Sequence, residues 1–271
     1  MRRERARSKA YEIALFALCA LPCGAQWIDY PTAGIPRTPD GKPNLAAPAL
    51  RTADGKPDLS GFWDYERNRP CPPTGCPDAV IGQEFANIGW SIPGGLPFQP
   101  WAAQLVKQRS ASFGPDDPHT TCLPTGPIRI HTAPMLRKIA QLPGLLIILS
   151  ERNSHFRQIF TDGRPLPNDP QPAFNGYSVG KWEGDTLVVQ TVGLSDQWLD
   201  HAGSPITESA KVTERYRRVN FGKLEIQVTV DDPKAYTKPW TITVNSIYKP
   251  DTELLDYTCL ENERDMRHMA K

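Results

Sequence analysis

From residue 137 onward, apolar and polar side chains alternate in short runs separated by turn sequences. Leu224, Ile226, Val228 and Val230 fall on one face of a run whose other face carries Lys223, Glu225, Gln227 and Thr229. Trp240, Ile242 and Val244 alternate in the same way with Thr241, Thr243 and Asn245. A period of two with one apolar face is the pattern of a half-buried strand. Nine such runs are predicted, at 138–142, 145–151, 155–161, 177–182, 186–192, 211–218, 223–230, 240–248 and 253–259. Their joints, among them Pro143-Gly144, Asp162-Gly163 and Pro250-Asp251, are turn sequences. Short joints pair neighbouring strands antiparallel, and a long sheet with one dry face must curl or be covered. The expected fold is therefore all-β: an antiparallel meander closing into a barrel over 137–260, with a β-sandwich as the alternative.

The first half follows no such rhythm. Eighteen of the 28 prolines lie between Pro31 and Pro134, which predicts an irregular, turn-rich arm over 26–136. Within it, Arg37-Thr-Pro-Asp-Gly-Lys-Pro-Asn-Leu45 is echoed by Arg51-Thr-Ala-Asp-Gly-Lys-Pro-Asp-Leu59. Two nine-residue copies are too few for a solenoid and read as turns in a strap laid over a surface. Proline at the first turn and apolar residues at 101, 105 and 106 predict one helix at about 99–110, packed on the barrel. Residues 62–65 are a candidate tenth strand, and 261–271 a C-terminal tail.

Charge and cysteine content then set the compartment. Arg2, Arg3, Arg5, Arg7 and Lys9 precede the apolar run 13–21, and Cys23-Gly24-Ala25 supplies small residues before Gln26. This is the layout of a secretory signal over 1–25, and nine apolar residues are too few to span a bilayer. That segment holds five of the 31 basic and two of the 30 acidic side chains, leaving 26 against 28, a net charge of −2. Such a balance gives no footprint for nucleic acid. Beyond the signal stand Cys71, Cys76, Cys122 and Cys259, an even number that reads as disulfides in an oxidising compartment. Of three possible connectivities, Cys71–Cys76 with Cys122–Cys259 is favoured. Cys71 and Cys76 flank a proline turn with no histidine nearby in sequence, so zinc is not expected.

Two resemblances bear on the fold. Leu59-Ser60-Gly61-Phe62-Trp63 resembles the Gly-x-Trp that opens the first strand of lipocalin-type barrels, which implies a lipocalin-like barrel. The 54–61 segment DGKPDLSG, Asp117-Pro118-His119, 156–167 (FRQIFTDGRPLP), 181–189 (KWEGDTLVV) and Val212-Thr-Glu-Arg215 together resemble a family of secreted bacterial β-rich proteins. That resemblance implies a secreted β-rich domain and brings no mechanism with it. Relatives of this type carry more histidine in the stretch that here reads His201-Ala-Gly-Ser-Pro-Ile-Thr207.

Candidate chemistry is sparse. No Gly-x-Ser-x-Gly elbow, phosphate loop, dinucleotide fingerprint or His-Glu-x-x-His occurs. Glu214 is the most informative ionisable residue, because Val212 and Tyr216 place it on the dry face of its strand. There it must be paired, with Arg157 as first choice, or be protonated toward a cavity. His155, which shares a face with Arg157, and His201, beside Asp200, are the candidate catalytic partners of Glu214. Arg157, Asp162, Trp182, Trp198 and Tyr216 are the candidate ligand contacts. These residues suit a secreted or periplasmic barrel that binds a small apolar or aromatic molecule without a cofactor or metal. The alternative is a cofactor-independent lyase, isomerase or hydrolase using Glu214 with a histidine.

Overall fold

The computed structural model describes residues 31–66, 83–112 and 116–259. The signal segment, Cys71, Cys76 and the tail after 260 lie outside the described residues. Nine strands close into a barrel. They are β1 (Gly61–Tyr65), β2 (Arg137–Leu142), β3 (Leu145–Ser150), β4 (His155–Phe160), β5 (Tyr177–Glu183), β6 (Thr186–Val192), β9 (Lys211–Asn220), β10 (Lys223–Asp231) and β11 (Trp240–Tyr248). Two short strands, β7 (Gln197–Trp198) and β8 (Pro205–Ile206), form a separate ribbon.

Eight of the nine predicted runs are barrel strands, and closure excludes the sandwich. Two expectations need correction. The meander is broken between β4 and β5, which pair in parallel at Phe160 and Val179. Pro165, Pro167, Pro170 and Pro172 follow the Asp162-Gly163 turn. Prolines cannot donate to a sheet, so the chain does not return as a hairpin but crosses over before re-entering. The run 253–259 is not a strand. Strand β1 takes the free edge of β11 and also pairs with β2, so closure leaves that run no edge. The arm thus supplies the closing strand, which a boundary at 137 leaves outside the barrel.

Trp63, the aromatic of the Gly-x-Trp, is fully buried on β1, with its indole N–H donating to the Leu59 carbonyl at 3.0 Å. Gly61 lies at φ 126, and a Cβ there would collide with the Tyr248 ring. Only glycine lets the closing strand pass this close.

The two ends of the barrel are finished differently. At one end, α3 (Gly126–Thr132) is buried along its whole length. It follows the 3₁₀ turn Pro118–Thr121 and plugs the barrel just before β2. The Cys122–Cys259 disulfide ties this plug to the last described residues. The other end is rimmed by the β2–β3, β5–β6 and β9–β10 turns and crossed by the proline-rich strap. Each copy of the repeat folds alike, its arginine donating to the glycine carbonyl four residues on, at 3.0 Å in the first and 2.7 Å in the second. The same arginine then reaches the barrel: Arg37 bonds Asp251 at 2.9 Å, and Arg51 bonds Asp185 at 2.6 Å. Between the copies, the amides of Phe221 and Gly222 donate to the carbonyls of Ala47 and Leu45.

Helix α2 (Pro100–Ala111), preceded by α1 (Gln83–Ala86), lies outside the barrel. It buries Ala102 and half-buries Leu105 and Val106, whereas Trp101 is exposed and donates its indole N–H to the Lys234 carbonyl at 2.8 Å. No helix among the described residues is long and apolar enough to cross a membrane.

Candidate functional site

Alternation along β2, β3, β4, β5 and β6 sends Arg137, Ser150, Arg157, Ser178 and Thr191 into the barrel near its plugged end, and all are buried. One turn of the pleat closer to the other end, Ile139, Ile148, Ile159 and Val189 make an apolar layer. Glu214 enters from β9 and is fully buried. Arg157 clamps it through both terminal nitrogens, one of them at 2.9 Å from Oε1. Arg157 also donates to Ser178 Oγ at 3.2 Å and Thr191 Oγ1 at 3.0 Å. The plug supplies His131, whose Nε2 lies 3.0 Å from Glu214 Oε1 and 2.9 Å from the Tyr216 hydroxyl. That hydroxyl donates to the same carboxylate oxygen at 2.8 Å. Arg137 locks the plug from the side, donating to the carbonyls of Ile130 and His131 at 2.8 Å and to Ser246 Oγ at 2.8 Å.

The electrostatics follow from this geometry. Burial alone would raise the Glu214 pKa, but Arg157 and then His131 outweigh it and hold the carboxyl at about 2. Burial lowers His131 to about 4 in spite of Glu214, so at neutral pH the imidazole is uncharged. Burial also drives the Tyr216 phenol well above its usual range, aided by the neighbouring carboxylate. The network is one buried ion pair with neutral His131 and Tyr216 around it, beside a second buried cation, Arg137, whose pKa burial lowers to about 10.

The opposite end is hollow. A cavity of about 420 Å³ opens at the mouth, floored by the buried Leu146 and Leu187 and walled by Trp182, Thr161 and Gln141. The second strap turn, Thr52 to Asp54, roofs it, and Asp54 is its one ionisable lining residue. Gln141 fixes the strap on the rim, accepting from the Leu59 amide at 2.8 Å. A neighbouring cleft of about 550 Å³ lies across Trp182 and Thr161, along β5, β6 and the loop at 163–166. Trp182 is half-buried against the core and stands between the two spaces.

The structure brings together only some of the predicted site residues. Arg157, Glu214 and Tyr216 meet in the polar layer, with the Glu214–Arg157 pair as expected. His155 and His201 do not join them. His155 Nε2 lies 3.4 Å from Thr125 Oγ1, and its Nδ1 lies 3.4 Å from the Arg152 carbonyl. His201 is half exposed outside the barrel, 3.7 Å from Asp117. Asp200 does not orient it, because that carboxylate is buried and accepts from the amides of Ile88 and Ser204 and from Ser204 Oγ. Asp162 is exposed and paired with Arg164 at 2.6 Å. Trp198 is buried beneath the Arg109 guanidinium, 4.4 Å from its ring centre, and lines neither space. Trp182 alone of the predicted contacts lines the mouth.

The residue that sequence could name but not place is His131, which with His119 flanks Cys122. It sits in a seven-residue helix with no apolar period to orient it, so only the way that helix inserts into the barrel makes it the partner of Glu214. Among the described residues no group of three or more histidine, cysteine, aspartate or glutamate side chains is arranged to hold a metal ion. No protein-family model and no curated protein matches the chain, so the functional reading stands on these two ends of the barrel.

Proposed function

We propose that the protein is a secreted or periplasmic carrier or sensor that holds a small, uncharged apolar or aromatic molecule in the mouth of its barrel, beneath the strap. The observation that carries this reading is the 420 Å³ cavity floored by Leu146 and Leu187 and walled by Trp182. Its size falls in the range of small-molecule sites, and its lining is apolar with a few polar groups at the rim. The Cys122–Cys259 disulfide supports an oxidising compartment. The motif resemblance to secreted bacterial β-rich proteins supports it as well.

One observation favours a second reading, a cofactor-independent enzyme. Glu214, His131 and Tyr216 form the kind of carboxylate–imidazole–phenol chain that can move protons. All three are fully buried and none lines the mouth cavity, so binding is the function the geometry carries further.

The test is titration with the neutral fluorophore N-phenyl-1-naphthylamine, read by its own emission and by quenching of tryptophan. Saturable binding is expected, weakened by Trp182→Ala at least tenfold, about 1.4 kcal/mol. Unchanged affinity in that variant would place the probe elsewhere and overturn the reading. Native mass spectrometry of protein taken from its own periplasm would then give the mass of the natural occupant.

A further inference from the structure

At the plugged end, outside the barrel, four chain segments meet at the ring of Phe85, its own included. The Arg129 guanidinium of α3 lies 5.2 Å from the ring centre, and that of Arg152, in the β3–β4 turn, 5.7 Å. The His201 ring stacks on it at 6.2 Å, nearly parallel. The loop carrying His201 is fixed to α1 by backbone bonds from His201 and Ala202 to the carbonyls of Phe85 and Ala86. Asp117 caps the adjacent 3₁₀ turn and His119 lies within it, just before the disulfide at Cys122, and the charges of Arg129 and Arg152 reach the His119 ring.

The cations here outnumber the anions. Asp117 is buried and spent on Arg129 in a two-point pair at 2.8 and 2.7 Å. Arg152 has no carboxylate partner among the described residues, and its Nε is buried without a hydrogen bond. The adjacent Glu151 is turned away, accepting from the amides of Leu136 and Leu255. His119 is 7% exposed, yet neither ring nitrogen has a hydrogen-bond partner. Burial, followed by the charges of Arg129 and Arg152, holds that imidazole neutral, with a pKa of about 3. The Leu123 carbonyl draws on its N–H, but no full hydrogen bond forms there. Buried polar groups are seldom left unmatched, and an unused guanidinium beside an imidazole with an unmatched N–H is a group of donors short of an acceptor.

We infer that Phe85, His119 and Arg152 form a second binding site, separate from the mouth, for a small oxyanion. Arg152 supplies the charge and its planar pair of donors, His119 a neutral donor, and Phe85, whose faces already meet His201 and the guanidiniums, the edge of its ring. The oxyanion has two sources that fit, a carboxylate carried on an aromatic ring or a free phosphate.

Calorimetric titration of the full chain with benzoate and with inorganic phosphate separates them. Saturable binding of at least one anion is expected at a Kd of about 1 mM or below, with Arg152→Gln weakening it about tenfold or more. Arg152 makes no side-chain hydrogen bond within the described residues, so this variant is expected to keep the wild-type melting temperature. His119→Gln is a second variant and should weaken the same anion. Phe85→Leu tells the sources apart: it weakens benzoate if the ring is read, and leaves phosphate binding intact if the site takes the free ion. Trp182→Ala, at the far end, should change neither. Absence of saturable binding of both anions, or equal affinity in the wild type and Arg152→Gln, overturns the proposal, and neither result depends on whether the mouth binds its own ligand.

Discussion

The two ends of this barrel are built from the same alternating strands and reach opposite outcomes. At the plugged end the inward positions are Arg137, Ser150, Arg157, Ser178 and Thr191, and α3 descends among them so that most of their polar atoms find partners, with Arg157 Nε and His131 Nδ1 as exceptions. At the mouth the inward positions are Leu146, Leu187 and Trp182, and only a strap turn covers them, leaving space. Polar interior residues demand partners because an unmatched buried group costs free energy, so they draw in the helix that satisfies them. Apolar residues make no such demand. The polar layer inside the chemically richer end is therefore spent on holding the fold together, and under the proposed function the plainer end is the one left to bind.

The largest effect is expected from removing Glu214. Glu214→Ala leaves Arg157 buried and uncompensated, which is expected to cost about 3–5 kcal/mol in chemical denaturation. Glu214→Gln keeps the shape and should lose part of that, while affinity of the mouth for N-phenyl-1-naphthylamine, per folded molecule, stays within about twofold of wild type. A Glu214→Gln protein of full stability with a tenfold loss of binding would reverse the roles of the two ends.

The disulfide is the next largest contributor. It joins residues 137 apart in sequence and holds the plug against the end of the chain. Cys122→Ser with Cys259→Ser is expected to lower stability by about 2–5 kcal/mol, measured against wild type without reductant. Because the link lies at the plugged end, the double variant should leave the mouth's affinity unchanged once folded.

Acid should act on the plugged end before the mouth. His131 is held near 4 against an ordinary 6.5, so the unfolded chain takes up its proton first, and stability falls as the pH drops from 6.5 to 4. His119, held at about 3, adds a loss of the same sign. Glu214 is held at about 2 against an ordinary 4.5; its contribution is complete above pH 4.5 and disappears as the pH falls through 2. The wild type is thus expected to lose on the order of 1–3 kcal/mol through His131 between pH 6.5 and 4. His131→Gln should flatten that part of the stability-against-pH curve, leaving the slope that His119 supplies. An unchanged curve would mean that His131 is not buried in its neutral form.

The smallest effect expected is at the strap. The Arg51–Asp185 pair is exposed on both sides, and exposed pairs add little to stability. Arg51→Ala should leave the melting temperature nearly unchanged. It should nonetheless speed ligand release from the mouth about threefold in stopped-flow measurements, since most affinity changes in related complexes lie in the off-rate. A shift in melting with no change in release would make the second repeat a structural clasp alone.

Much of this molecule is legible in one dimension. A period of two in residues such as 223–230 states which side chains face inward, because a strand has two faces and nothing else to choose between. That same alternation placed Glu214 inside and, with Arg157 also facing inward, paired them, since a buried carboxylate has few ways to be satisfied. The turn sequences located the joints, and the repeated Arg-Thr-x-Asp-Gly-Lys-Pro foretold two like turns in a strap. What the sequence did not contain is anything that depends on which strand lies beside which. The parallel return at β5, the capture of the last sheet edge by β1 and the exclusion of 253–259 are all consequences of closure. His131 became the partner of Glu214, and His155 and His201 did not, because a short helix carries no periodic mark of the surface it will enter. Proximity across 83 residues is set by how the barrel is plugged, and only the tertiary structure decides that.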